Sequence, residues 1–203
     1  MKGRNGVLLL FLALLTVGIC VVWQRYEAPR IDEAAQQLQA RTWLSVLPQG
    51  SYDNQPLQHP LALPRPELAH STLLAGYLAT KAGKPGAVVL HSRFQGYSGP
   101  IQLLIAISVD GRVIASKVLQ QQETPGLGAR LAEPGTTWLR GFDGLGSGTT
   151  PEGDWALTRD NGRFDQLAGA SVTSRAVIHG IQDALRYFDE HARLWLTEGG
   201  SDE

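Results

Sequence analysis

The stretch Ile101-Gln-Leu-Leu-Ile-Ala-Ile-Ser-Val-Asp-Gly-Arg-Val-Ile-Ala-Ser-Lys-Val-Leu119 decides the fold class. Two apolar runs, Ile101 to Val109 and Val113 to Leu119, flank Asp110-Gly111. Asp-Gly between such runs is a strong hairpin signal, because tight turns need residues that accept positive φ. The first run suits a strand buried on both faces. Upstream, Leu73 to Thr80 and Gly86 to His91 read as two further strands, and Lys81-Ala-Gly-Lys-Pro-Gly86 as the turn that joins them. A mainly antiparallel sheet follows from these pairings.

Beyond the sheet, a helix is expected from about Ser174 to Leu196. Val177, Ile178, Ile181, Leu185 and Phe188 recur there at i, i+3, i+4 and i+7 spacing. Between sheet and helix, Leu131 to Phe142 suits a short helix around Trp138. Asp143 to Asp154 reads as a Gly/Thr/Ser-rich loop, Trp155 to Arg159 as a short strand, and Asp160-Asn-Gly162 as a turn. The fold class is α+β.

At the other end, Val7 to Trp23 is an unbroken run of apolar or small residues. Its length is near the lower limit of about 17 residues for spanning a bilayer core. Trp23 and Tyr26 stand where interfacial aromatics belong. Lys2 and Arg4 before the run nearly balance Arg25 and Arg30 after it. No Ala-x-Ala site follows the run, and Ile19 before Cys20 does not suit lipidation. The expectation is an uncleaved signal anchor with the N-terminus in the cytoplasm. Pro29 to Leu47 then reads as a linking helix, and Pro48 to Glu67, with prolines at 48, 56, 60, 64 and 66, as extended chain. The expected organisation is 1–6 cytoplasmic, 7–25 transmembrane, 26–66 linking, 67–197 globular and 198–203 a tail.

The chain of 203 residues carries a formal net charge of −1 and shows no basic patch, which argues against nucleic acid as a partner. Cys20 is the one cysteine, so neither an internal disulfide nor a cysteine metal site is possible. The five histidines show no metal-ligand spacing, and no metal is expected.

Chemistry is most legible in Phe164-Asp-Gln-Leu-Ala-Gly-Ala-Ser-Val-Thr-Ser-Arg-Ala-Val177. Ser171, Thr173 and Ser174 follow Gly169 and Ala170 at the entry to the helix. A helix N-terminus stabilises an anion through its free N–H groups and its dipole. A hydroxyl there either holds a phosphate, joins one covalently, or serves only as an N-cap. Glu123-Thr-Pro-Gly-Leu-Gly128 is a second marked turn. Gly126 and Gly128 permit a bend that offers backbone groups to a ligand edge, and Pro125 stiffens it. Plain chain reversal explains the same residues.

These segments resemble a known family. Asp165 to Thr173 is similar to the flavin-attachment pattern Asp-x-x-(Ser/Thr)-Gly-Ala-Thr-x-(Ser/Thr) of the G subunit of Rnf-type electron transport complexes and the C subunit of sodium-pumping NADH:quinone reductases. Gly96-Tyr-Ser-Gly-Pro-Ile-Gln-Leu-Leu104, with Asp110-Gly111, resembles the family's central hairpin, and Glu123 to Gly128 its signature turn. The ordered set favours the Rnf G subunit. The resemblance implies FMN as cofactor, joined through its phosphate to Ser171. It implies a binding site that includes Gly169, Ala170, Thr173, Glu123, Thr124, Gly126 and Leu127. Glu123 would orient its loop. Thr124 would bond the ring or cap locally, and Leu127 would pack on the flavin or belong to the core. Asp165 would serve recognition by a separate flavin transferase or cap the turn. The implied role is an electron relay among subunits of a complex in the bacterial inner membrane, with the globular domain on the periplasmic side. Two positions depart from the pattern: Ala168 replaces a hydroxyl, and Ser171 replaces the acceptor threonine. The alternative reading is a membrane-anchored assembly or regulatory module that has lost its flavin.

Overall fold

The computed structural model describes residues 15–19, 23, 40 and 42–198. Residues 15–19, 23, 40 and 42–44 are helical. The rest of the expected anchor, most of the expected linking helix and the tail from 199 lie outside the described residues. Among the described residues no helix is long and apolar enough to cross a membrane. The chain divides into two units, Met1–Leu44 and Ser45–Glu203.

In the second unit four strands, β1 (Ser71–Lys81), β2 (Lys84–Gln95), β3 (Pro100–Ser108) and β4 (Val113–Gln120), form one antiparallel sheet in the order β1-β2-β3-β4. The first turn is tighter than the sequence suggests. Lys81 pairs with Lys84, so only Ala82 and Gly83 remain, at φ of 50° and 72°. Two positive φ values match the twist of the flanking strands. Asp53 secures the turn by accepting a 2.7 Å bond from the Ala82 N–H. Asp110-Gly111 makes the expected reversal between β3 and β4. Ile101, Leu103, Ile105 and Ile107 are buried on one face of β3, and Leu104 and Ala106 on the other.

Helix α1 runs from Ser171 to Glu198 and packs on the sheet. Its buried Val177, Ile178, Ile181, Leu185 and Phe188 join the core with Leu90, Phe94, Leu103 and Ile105. The contact is close enough that a Cβ on Gly180 would lie 2.5 Å from the Phe94 ring. The proline-rich segment follows the outer edge of β1. Leu61 N–H donates to the Gly76 carbonyl, Leu68 N–H to Ser71, and Leu73 N–H to Pro66, each at 2.8 Å. Prolines on a sheet edge block addition of another strand. Tyr187 and Trp195 of α1 hold this strap through bonds to the Pro64 and Ala62 carbonyls, 2.7 and 3.3 Å long.

Two expectations are corrected and one is refined. Trp155 to Arg159 is not a strand: Leu157 makes one isolated bridge with Phe164, between short 3-10 turns at Glu152–Asp154 and Thr158–Asp160. Trp155 is buried by aromatic packing beside Phe164, which stacks on Phe142 at 4.4 Å. The short helix expected around Trp138 is the 3-10 turn Trp138–Phe142, and a second 3-10 turn, Gly128–Ala132, precedes it. Helix α1 begins at Ser171, three residues before Ser174.

Candidate functional site

The three singled-out segments meet around one buried carboxylate. Glu123 is only 6% exposed. Its Oε1 accepts the Ser98 N–H at 3.0 Å, and its Oε2 accepts the Thr173 hydroxyl in a short bond. The 96–99 turn, the 123–128 turn and the first turn of α1 therefore share a single side chain. Two glycines make room for it. A Cβ on Gly96 would lie 2.5 Å from Glu123 Oε1, and one on Gly128 2.5 Å from Oε2. No other residue fits at either position without displacing the carboxylate.

The hydroxyls of the helix entry divide by environment. Thr173 is buried and donates to Glu123. Ser174 is buried too; its Oγ donates to the Ala170 carbonyl and accepts the Leu167 N–H, both at 2.9 Å. Neither is an N-cap. Ala170 fills that position, since its carbonyl accepts the Ser174 N–H at 2.9 Å. Ser171 is the first helical residue and stays partly exposed. The N–H groups of Ser171, Val172 and Thr173 precede the first helical bond and have no helical carbonyl to donate to.

The 164–170 loop is fastened from outside. Trp138 Nε1 donates to the Asp165 carbonyl at 2.7 Å, and the Thr158 hydroxyl to the Asp165 carboxylate at 3.2 Å. Arg175 pairs with Asp160 at 2.7 Å. Gly169 sits at φ 73° against Leu127, where a Cβ would come within 2.7 Å of Leu127 Cδ2. A shallow cleft of about 550 Å³ passes Ala168, lined also by Arg130, Glu133, Trp138 and Gln166. Tyr97, Leu127 and Val172, outside that lining, are 72%, 42% and 48% exposed. Each comes from one of the three segments that Glu123 joins.

The FMN-binding domain family matches residues 96–186, which contain all three segments. Over 196 residues the chain is 42% identical to the G subunit of the ion-translocating oxidoreductase complex of Pseudomonas aeruginosa, covering 96% of this chain and 92% of that protein. The chain belongs to this family of G subunits. The G subunits of the same complex in Stutzerimonas stutzeri and Vibrio cholerae are also similar. The first is 38% identical over 78% of this chain and 68% of its own; the second is 30% identical over 93% and 90%.

The cofactor of an FMN-binding domain is a flat ring system with apolar faces and polar edges, carrying a phosphate. The residues present suit both parts. The start of α1 offers N–H groups that have no helical carbonyl and a positive dipole end beside the partly exposed Ser171 hydroxyl. Tyr97, Leu127 and Val172 offer exposed apolar surface close by. The structure groups Glu123, Gly126 (φ 76°), Leu127, Gly169, Ala170, Ser171 and Thr173 at this one end of the domain. Leu127 is not a core residue. The Thr124 carbonyl accepts the Leu127 and Ala129 N–H groups at 3.1 and 3.2 Å, which closes the turn, and the Thr124 hydroxyl lies 3.4 Å from the Ser98 hydroxyl. Sequence reasoning missed Ser98, Tyr97 and Val172 as site neighbours. The signal for Tyr97 was an aromatic residue inside a Gly-x-Ser-Gly turn, where no core position is available.

Proposed function

We propose that this protein is the FMN-carrying subunit of an ion-translocating electron transport complex, with the flavin phosphate esterified to Ser171. The observation that carries the assignment is the division of the hydroxyls. Thr173 and Ser174 are buried and bonded, and Ser171 alone of the three remains accessible at the helix N-terminus. FMN, when bound, supplies reversible one- and two-electron transfer. The residues position it. The first turn of α1 offsets the phosphate charge, and the turn carrying Leu127 holds apolar surface beside it.

Esterification requires an activated phosphoryl donor, for which a flavin dinucleotide serves. The Ser171 Oγ–P bond forms, the P–O bond to the nucleoside monophosphate breaks, and the hydroxyl proton leaves to a base of the flavin transferase. The mass gained is that of FMN less one water. In the same reading the run from Val7 to Trp23 anchors the chain in the inner membrane and packs against integral subunits, with the 67–197 domain on the periplasmic side.

Co-expression with a flavin transferase tests the assignment. Intact mass and fluorescence on a denaturing gel should show covalent FMN on the wild type and none on Ser171→Ala, with unchanged circular dichroism. Undiminished fluorescence from Ser171→Ala would remove Ser171 as the acceptor.

A further inference from the structure

Glu123 has no place in the chemistry of attachment, yet its carboxylate is buried at this end of the domain. Both carboxylate oxygens are engaged, and two glycines are packed to within Cβ-clash distance of it. Its partners lie on segments 25 and 50 residues away in sequence. A turn that only reversed the chain would not need a carboxylate there, since Leu127 and Ala129 N–H groups already close it onto the Thr124 carbonyl.

Thr173 lies two residues after Ser171 in the first turn of α1. Fixing Thr173 fixes the rotation of that turn about the helix axis, and so the direction in which Ser171 Oγ and the leading N–H groups point. Ala170, at the N-cap position, has no side chain to bond the leading N–H groups; Ser174 ties the turn to the 167–170 loop, and Thr173 ties it to Glu123 and so to the other two segments.

We infer that Glu123 is a positioning residue for flavin attachment: through Thr173 it orients the acceptor Ser171 and locks it to the 96–99 and 123–128 turns as one unit. The inference rests on Ser171 being the acceptor. Displacing a reacting atom by about 1 Å can cost as much as a hundredfold in rate, so a loss of that order is expected when the link is cut.

Four variants separate this role from its rivals. Glu123→Met keeps length and shape but accepts no hydrogen bond; Thr173→Val keeps shape but donates none. Glu123→Gln retains an acceptor for Ser98 and can still bond Thr173 once the hydroxyl turns over; Thr173→Ser retains the donor. The initial rate of FMN incorporation by a transferase into each purified, folded variant is followed by intact mass, with thermal melting as the control for folding. Peptide mapping locates the flavin. Glu123→Met and Thr173→Val should fall roughly 10- to 100-fold, and Glu123→Gln and Thr173→Ser should stay within about threefold of wild type. A flavin that maps elsewhere than Ser171 defeats the acceptor assignment itself. Flavin on Ser171 at wild-type rate in Glu123→Met defeats the positioning role. Loss in Thr173→Val without loss in Glu123→Met does the same, because the transferase would then read Thr173 directly. Should either shape-preserving variant melt below the assay temperature, the Gln and Ser variants are compared with their destabilised partners at 4 °C, and equal rates again overturn the role.

Discussion

Ser174 Oγ accepts the Leu167 N–H and donates to the Ala170 carbonyl, each bond 2.9 Å long. One buried hydroxyl thereby ties both ends of the 167–170 turn to the helix that follows. Ser174→Ala leaves the Leu167 N–H unpaired in a dry setting. The expected loss is about 1–3 kcal/mol of folding stability, measurable as a lower urea midpoint at unchanged slope. Ser171→Ala, which removes a partly exposed group, should change the midpoint by less than about 0.5 kcal/mol.

Gly180 marks the place where helix and sheet come closest. A methyl group there meets the buried Phe94 ring at 2.5 and 2.7 Å. Gly180→Ala is expected to cost about 1–3 kcal/mol through overpacking, in spite of alanine's better helix propensity. Phe94→Leu should relieve part of that cost. A double-mutant cycle by chemical denaturation would show the two changes to be less than additive.

Two imidazoles make stability depend on pH. Burial is the main cause that lowers the His91 pKa below 6.5, against the raising effect of its 2.9 Å bond to Gln102. Burial also lowers His179, helped by His70 stacked on it at 4.6 Å and by Arg175; Gln182 and Asp183 act the other way. A lowered histidine binds fewer protons in the folded chain than in the unfolded one near and below the ordinary value. Stability therefore rises with pH through that region, and is lost as pH falls from about 6.5 through the folded values. The melting temperature should be flat above pH 7.5 and decline toward pH 5. His179→Gln and His91→Gln should each flatten the decline. A decline of equal steepness in the double variant would assign it to carboxylates such as Glu152, whose pKa is lowered chiefly by its bond to Arg186.

The strap along β1 is held in part by the Tyr187 hydroxyl on the Pro64 carbonyl. Tyr187→Phe should cost about 0.5–1.5 kcal/mol. Limited proteolysis should then cut faster between Gln58 and Leu68 while the sheet and α1 stay protected.

The sheet was legible because its information is local. Asp110-Gly111 and the apolar run before it specify a hairpin without help from distant residues, and the apolar stripe of α1 specifies its buried face. The start of α1 was not legible. Ser171, Val172 and Thr173 have modest helix propensity, and the bond that anchors Thr173 reaches a residue 50 positions earlier. Trp155 and Leu157 failed as a strand for a related reason: they are buried beside Phe164 and Phe142, which a periodicity of two cannot reveal. The grouping of Glu123 with the attachment segment was legible only as a resemblance. The burial of its side chain depends on Gly96 and Gly128, whose missing Cβ atoms mean nothing until the chain is folded.

The sequence distances around Glu123 also set an order of events in time. Ser98 and Glu123 leave the ribosome long before Thr173, and α1 can dock only once the chain through its C-terminal turns has emerged. The Glu123 end of this domain is thus finished last. In the proposed reading, a transferase that recognises this end in its settled form acts on completed molecules, and a chain truncated before Thr173 receives no flavin at Ser171.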